Sequence, residues 1–388
     1  MKASDDRILV THTGSLPRPD TLRRYYVQRS RGESVAPETL EAEAREAVAH
    51  AVRRQAAAGI DVGNDGEQQR EAFFLHMRYR LTGFAGSWER PTRSDIVKYP
   101  SFQRVLDGQI AASEAVTAAS LAPPEAVGEV RYLEPGITPE CQVLQAVLDA
   151  EGAPFAETFL TAPSPGIVLR AMRNAYYDSE DAYFDALTKA FRIEYAKIVD
   201  AGFLLQIDSP DLGLERSRTY RDRPLSEFLA FCERAIAAIN EALDGIPPDR
   251  VRLHVCWGNA EGPHDEDVPL EEIAGVLRNA RVGAFMLPFA NPRHAHEYKH
   301  LPQLLADDRI IVAGVIDTTT NYIEHPEVVA DRLERVAEAV GDPRRVIAGT
   351  DCGFDTNAGL GRVAEDIVWA KLVSLAEGAR IASGRLFG

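Results

Sequence analysis

The chain has 388 residues, 45% of them hydrophobic, and a formal net charge of −16. That length suits one large packed unit or two modest ones. The basic residues are scattered, so no basic stripe offers itself to nucleic acid or to an anionic membrane surface.

No apolar run approaches the roughly 18 residues that a membrane-spanning helix needs. The opening stretch "MKASDDRILVTHTG" has no secretory leader pattern. Four cysteines (Cys141, Cys232, Cys256 and Cys352) in a chain this long are no disulfide framework. Free thiols and a cytoplasmic setting are expected, and Cys141 and Cys232 read as structural.

Along the chain, short apolar runs alternate with longer helical patterns. The runs cover 7–15, 59–67, 127–133, 155–166, 202–211, 250–259, 282–292, 309–319 and 345–354. Helices are predicted over 37–58, with Pro37 in the first turn and Gly59 as the stop, and over 180–201, with Ser179 as N-cap and Gly202 as the stop. A third ends at Gly341.

Repeated strand–helix units predict a parallel sheet, and strands apolar throughout predict cover on both faces. Nine candidate strands for eight places favour a TIM (β/α)8 barrel over an open doubly wound sheet, as one catalytic domain over 1–388. "HTGSLPRP" is no dinucleotide fingerprint. The less periodic segment 84–127 reads as an insertion or lid with short elements of its own.

In such a barrel the C-terminal strand ends carry the chemistry. Here they offer His12, Thr13 and Ser15; Asp65 and Glu67; Thr161 and Ser164; Asp208; His254 and Cys256; Asn291 and His294; Asp317; and Asp351 with Cys352. Any one of these polar residues could be a helix cap; eight such ends together ask for more. His254 and Cys256 are two apart on a predicted strand, so both should face inward. With Cys352 they could form a three-ligand zinc site with an open position. Spacing alone equally admits a hydrogen-bonded core histidine and two buried cysteines. "NPRHAHE" sets His294 and His296 beside Glu297, which reads as a surface or capping cluster. No G-x-S-x-G elbow supports a serine nucleophile.

"THTGSLPRP", "AGIDVGNDGE", "LQIDSPDL", "HVCWGN", "NPRHAHE", "GVIDTTTN" and "AGTDCGF" follow one another in that order over roughly residues 7–382. As a set they resemble the single-barrel branch of the cobalamin-independent methionine synthase family. The resemblance implies a TIM barrel whose catalytic zinc binds a substrate thiol and lowers its pKa. It implies His254, Cys256 and Cys352 as zinc ligands. Ser15 would hold the homocysteine carboxylate, and Glu67 and Asp208 would be the catalytic carboxylates that take its ammonium group.

The chain departs from the family pattern at two places. Pro288 stands where a glutamate ligand is expected, with Glu261, Glu297 and Asp351 as the nearby acids. Thr319 stands where a histidine is expected to shuttle protons. The expected activity is zinc-dependent S-alkylation of a small-molecule thiol, foremost methylation of homocysteine by an alkyl donor such as a folate. Two alternatives are thiol addition to an epoxide of the coenzyme M type and a non-catalytic zinc-binding barrel. Neither nucleic acid nor membrane is an expected partner, and homo-oligomerisation is left open.

Overall fold

Eight strands form one parallel sheet that closes on itself in the computed structural model, which describes residues 1–112, 122–305 and 308–388. In chain order they are β1 (Leu9–Val10), β2 (Val62–Gly63), β3 (Glu157–Pro163), β4 (Leu204–Asp208), β5 (Val251–His254), β6 (Ala284–Pro288), β7 (Ile310–Ile316) and β8 (Val346–Thr350). Each pairs in parallel with the next from β2 to β8, and β8 pairs with β1. A parallel bridge from Thr11 to Val62 completes the circle. Helices lie between the strands, as parallel neighbours require, and the chain ends in the helix Glu365–Leu386. This is the expected (β/α)8 barrel. No described helix is long and apolar enough to cross a membrane.

Local chemistry sets the helix boundaries. Pro37 opens the helix Pro37–Ala57. The Ser179 hydroxyl accepts the Ala182 N–H at 3.1 Å and caps Glu180–Asp200. Pro326–Val340 stops at Gly341, whose φ of 79° is the left-handed conformation glycine adopts without strain.

Alternation along the strands sorts the barrel interior into layers. Leu9, Ala284, Met286, Ile310, Val312 and Ile347 form an apolar floor, joined by Val62, Phe159 and Leu204. Above it lie Gln206 and the fully buried Arg252, whose guanidinium sits 3.6 Å from the Phe159 ring centre. The same alternation puts Asp208, His254 and Pro288 at the top.

Two strand expectations need correction. Residues 127–133 are not a barrel strand. They run antiparallel beside 80–85, continuing a small ribbon in which Phe84–Ala85 pairs with Glu125–Ala126. A short apolar run cannot distinguish a barrel strand from an outlying ribbon. The second correction concerns β5, which ends at His254, so Cys256 belongs to the following loop.

The insertion 84–127 does carry elements of its own, the helices Ser94–Lys98 and Pro100–Ala112, with 113–121 outside the described residues. It is tied to the loop after β5. Lys98 and the Tyr99 hydroxyl each bond Asp265 at 2.7 Å, and Arg93 pairs with Asp95 and Asp267.

One buried ion pair anchors the last helix to the end of β7. Lys371 Nζ lies 2.9 Å from Glu324 Oε2, and Glu324 Oε1 accepts the Asp317 N–H at 2.8 Å. Lys371→Met strands that carboxylate and is expected to cost about 3–5 kcal/mol. Gly341→Ala should cost only about 1 kcal/mol. Urea unfolding followed by circular dichroism measures both.

Candidate functional site

The barrel top gathers His254, Cys256 and Cys352, all buried, with their ligand atoms within 4.8 Å of one another. His254 is the last residue of β5. Cys256 follows in a segment kept extended by the bond from Val255 N–H to Met286 O at 3.0 Å. Cys352 lies two residues beyond β8. The inward-facing pair expected from a continuous strand is therefore delivered by a strand end and the first turn of its loop.

His254 is oriented from below. Its Nδ1 lies 3.0 Å from Asp208 Oδ1, which also accepts Gln206 Nε2 at 2.8 Å. Gln206 Oε1 in turn accepts Arg252 Nε at 2.7 Å. With Nδ1 engaged, Nε2 is buried without a hydrogen-bond partner. An orphaned imidazole nitrogen beside two sulfurs fits a borderline-soft metal.

The charges agree with this arrangement. The neighbouring Cys352 thiol holds Cys256 well below the usual thiol range against the effect of burial, with help from His254. That contact and burial push Cys352 well up. Burial opposes a charged His254, but the Cys256 thiolate and Asp208 outweigh it and raise the ring to about 10.

Ser15 and Glu67 face the same cavity of about 250 Å³, together with Asp208 and the three donors. Gly353 lets the Cys352 loop approach Ser15, because a Cβ there would collide with the serine hydroxyl. Glu67 sits in a turn with φ 54°, after Gly66 at 67°. The turn is pinned by Asn64 Oδ1 accepting Gly66 N–H at 2.7 Å and Asp65 Oδ1 accepting Glu67 N–H at 3.0 Å. Glu67 Oε1 accepts the Thr161 hydroxyl at 3.0 Å, while Oε2 is buried and unpartnered. Burial, then the neighbouring Asp208, push its carboxyl up to about 7 despite Arg70 and Arg18.

Behind the donors lies a second cavity of about 30 Å³, lined by Pro288, Asp317, Thr319 and Asp351 among others. Of the acids near the absent glutamate, each has another engagement. Asp351 accepts the N–H groups of Phe289, Ala290 and Asn291 at 3.1, 2.9 and 2.7 Å. Glu297 accepts from Leu270 N–H at 2.8 Å and meets His294 Nδ1 at 2.8 Å. Glu261 pairs with Arg362 at 3.3 Å. The Thr319 hydroxyl donates to Asp317 Oδ1 at 2.9 Å.

The "NPRHAHE" cluster is only partly the expected surface feature. His296 is exposed, but His294 is buried, stacks on Trp257 at 4.1 Å between ring centres and contacts Asp267. Cys141 and Cys232 are buried away from the donors, as expected. Sequence reasoning missed Arg90, Arg93 and Arg218, which also line the large cavity. The first two lie in the insertion, and the third lies in "RSRTYRDR", whose density of charge suggests a solvated surface.

A protonation test follows from Glu67. The folded chain holds that proton more tightly than an ordinary carboxyl, whose value is 4.5. Its stabilising contribution is therefore full below about 4.5 and is lost as pH rises towards 7. Without added metal, Glu67→Gln should make unfolding free energy fall less steeply than wild type between these limits, as measured by urea unfolding at several pH values.

The family model for the cobalamin-independent synthase catalytic domain matches residues 8–90. The methionine synthase of Sulfolobus acidocaldarius is 27% identical over 377 residues, covering 96% of this chain and 91% of that protein. The methionine synthase of Sulfurisphaera tokodaii is 26% identical over 376 residues, with the same coverage. In fold, the chain is similar to a B12-independent methionine synthase from Shewanella sp. W3-18-1, solved in complex with selenomethionine. The TM-score is 0.74 at 19% identity, covering 98% of this chain and 99% of that one. A putative vitamin-B12 independent methionine synthase from Listeria monocytogenes gives 0.65 at 18% identity, covering 97% and 98%. The barrel, the order of the motifs and the nearly full-length similarity to methionine synthases agree, and the chain resembles the cobalamin-independent methionine synthase family.

Proposed function

We propose that the chain acts as a single (β/α)8 catalytic domain that methylates the thiol of homocysteine, with zinc as its metal. The observation that carries this reading is the orphaned His254 Nε2 beside Cys256 and Cys352, facing a cavity that also holds Ser15, Glu67 and Asp208. The names of the relatives along nearly the whole chain support the same reaction.

His254, Cys256 and Cys352 would hold the metal, and three protein donors leave a position for substrate. Bound zinc supplies the positive charge that keeps a substrate thiol ionised near neutral pH. Asp208 fixes the His254 ring through Nδ1, so that Nε2 is the donor. Glu67 contributes its unpartnered Oε2, and Asp208 a carboxylate edge on the cavity, towards the substrate ammonium. Ser15 is matched to the substrate carboxylate. Paired carboxylates favour an amino-acid thiol over coenzyme M, which has no ammonium group. The apolar and arginine-bearing side of the cavity is left for the alkyl donor.

Metal analysis should find about one zinc per chain, lost largely in Cys256→Ala and Cys352→Ala. Zinc binding should release protons and strengthen as pH rises, because His254 and Cys352 hold protons that the metal must displace. Wild-type protein that binds no zinc would end this reading.

On the zinc-loaded protein, homocysteine should release a proton on binding and coenzyme M should bind far more weakly. Glu67→Gln should weaken homocysteine by about tenfold or more with zinc content unchanged. Equal loss of both would make Glu67 a structural residue instead.

A further inference from the structure

The loops after β5 and β6 bring a second group of metal-ligating side chains together. His264, Asp267 and His294 set one ligand atom each within 4.8 Å of one another, and none of them belongs to the thiol-bearing cluster. All three side chains are buried.

The hydrogen bonds fix the tautomers. His264 Nε2 lies 2.8 Å from the Ala260 carbonyl oxygen, and His294 Nδ1 lies 2.8 Å from Glu297 Oε2. Carbonyl and carboxylate oxygens only accept, so both of these nitrogens carry the proton. The other two nitrogens, His264 Nδ1 and His294 Nε2, turn to one oxygen, Asp267 Oδ2, at 2.6 and 3.2 Å. Arg93 Nη2 also approaches His264 Nδ1, at 3.2 Å. A donor and an acceptor thus address the same ring nitrogen, and one proton state satisfies only one of them. A histidine that ligates a metal has its far N–H anchored on a carboxylate or a carbonyl in this way.

Charge points to the same place. Arg93 is engaged by both oxygens of Asp95, at 3.0 and 2.7 Å, and by Asp267 Oδ1 at 3.4 Å. With neutral imidazoles, the carboxylates of Asp95, Asp267 and Glu297 outnumber that guanidinium three to one, and all four side chains are buried. A dication cancels the excess, and buried charge persists only where it is compensated.

We infer that His264, Asp267 and His294 form a second metal site, which takes a divalent first-row transition ion through two imidazole nitrogens and one carboxylate oxygen. The site shares no ligand with His254, Cys256 and Cys352 and does not depend on the thiol chemistry proposed for them. It has no thiolate, so it holds zinc less tightly than the cysteines do. One zinc per chain therefore stays firmly bound, and the second ion exchanges. The ion ties the loop that carries Cys256 to the loop after β6. Trp257, stacked on His294 at 4.1 Å between ring centres, passes that restraint to its neighbour Cys256. Both imidazoles line the small cavity behind the thiol donors, whose volume of about 30 Å³ has room for a metal-bound water.

Cobalt(II) is a suitable probe, because its absorption reports its donors and thiolates prefer zinc to it. Protein loaded with one equivalent of zinc is dialysed against cobalt(II), and the bound metals are counted. Wild type should hold about one cobalt per chain beside its zinc, with weak visible bands and no intense thiolate charge-transfer band. Its urea midpoint should rise as cobalt binds. His264→Gln and His294→Gln should each bind cobalt about tenfold or more weakly while keeping zinc. Cobalt added to the metal-free variants should still give the thiolate band, which shows that the barrel is folded.

No cobalt beyond zinc in wild type, or uptake unchanged in both variants, overturns the site, and the cluster is then a set of ion-paired imidazolium rings. A thiolate band in zinc-loaded wild type overturns it as well, since the cobalt would then sit on the cysteines. Failure of the zinc–thiol reading shows separately, as no thiolate band when cobalt meets metal-free wild type.

Discussion

A histidine can hold a metal through either ring nitrogen, and its other nitrogen must be fixed before the choice is made. Here Asp208 makes that choice by engaging Nδ1. The barrel makes the contact reproducible, because Asp208 and His254 are register partners on neighbouring strands. Two residues earlier on the same strands, Gln206 and Arg252 are partners as well. The two-residue period of a strand stacks the pairs, so hydrogen bonds run from Arg252 through Gln206 and Asp208 to the imidazole. Arg252 is also held by the Thr11 hydroxyl and the His12 carbonyl. The floor of the site is therefore braced against β1 as well as β4.

The loops complete what the strands begin. Cys352 and Ser15 come close because Gly353 has no side chain, and Phe354 N–H bonds Ser15 O at 2.9 Å. The Gly66–Glu67 turn aims a carboxylate into the same space. The insertion contributes Arg90, Arg93 and Ile96 from the side and is held by Asp265 and Asp267. One strand end and the first loop residues beyond two strands thus carry the donor cluster, and longer loops shape the remaining wall.

Much of this was legible in the sequence. Seven motifs in order pointed to the family, and strand–helix alternation pointed to the barrel. Ser179, Pro37 and Gly341 marked helix ends because their preferences are local. His254, Cys256 and Cys352 were legible by residue type and come together, although only His254 lies on a strand. The 127–133 run misled because the ribbon strand it resembles and a barrel strand share the same apolar composition. Gln206 and Arg252 gave no sign of acting together, since their pairing depends on register between β4 and β5. Arg218 was hidden for the opposite reason. Five arginines between 216 and 234 look alike in sequence, and only the fold shows that Arg218 is the one lining the cavity.

Pro288 bears on the charge of the site. It ends β6 opposite Gly314, two residues beyond Met286, the register partner of His254, and lines the small cavity with Cys256 and Cys352 where a glutamate was expected. Proline has no ligating atom in its side chain, and the neighbouring Asp351 spends its carboxylate on three backbone N–H groups. On the proposed reading, a neutral imidazole and two thiolates balance a dication, so the three-donor centre is neutral before substrate arrives. A carboxylate at Pro288 would have made it anionic and opposed an incoming thiolate, an effect that is strong where water is excluded. With Glu67 and Asp208 already lining the same cavity, one fewer negative charge favours a substrate that must arrive as, or become, an anion.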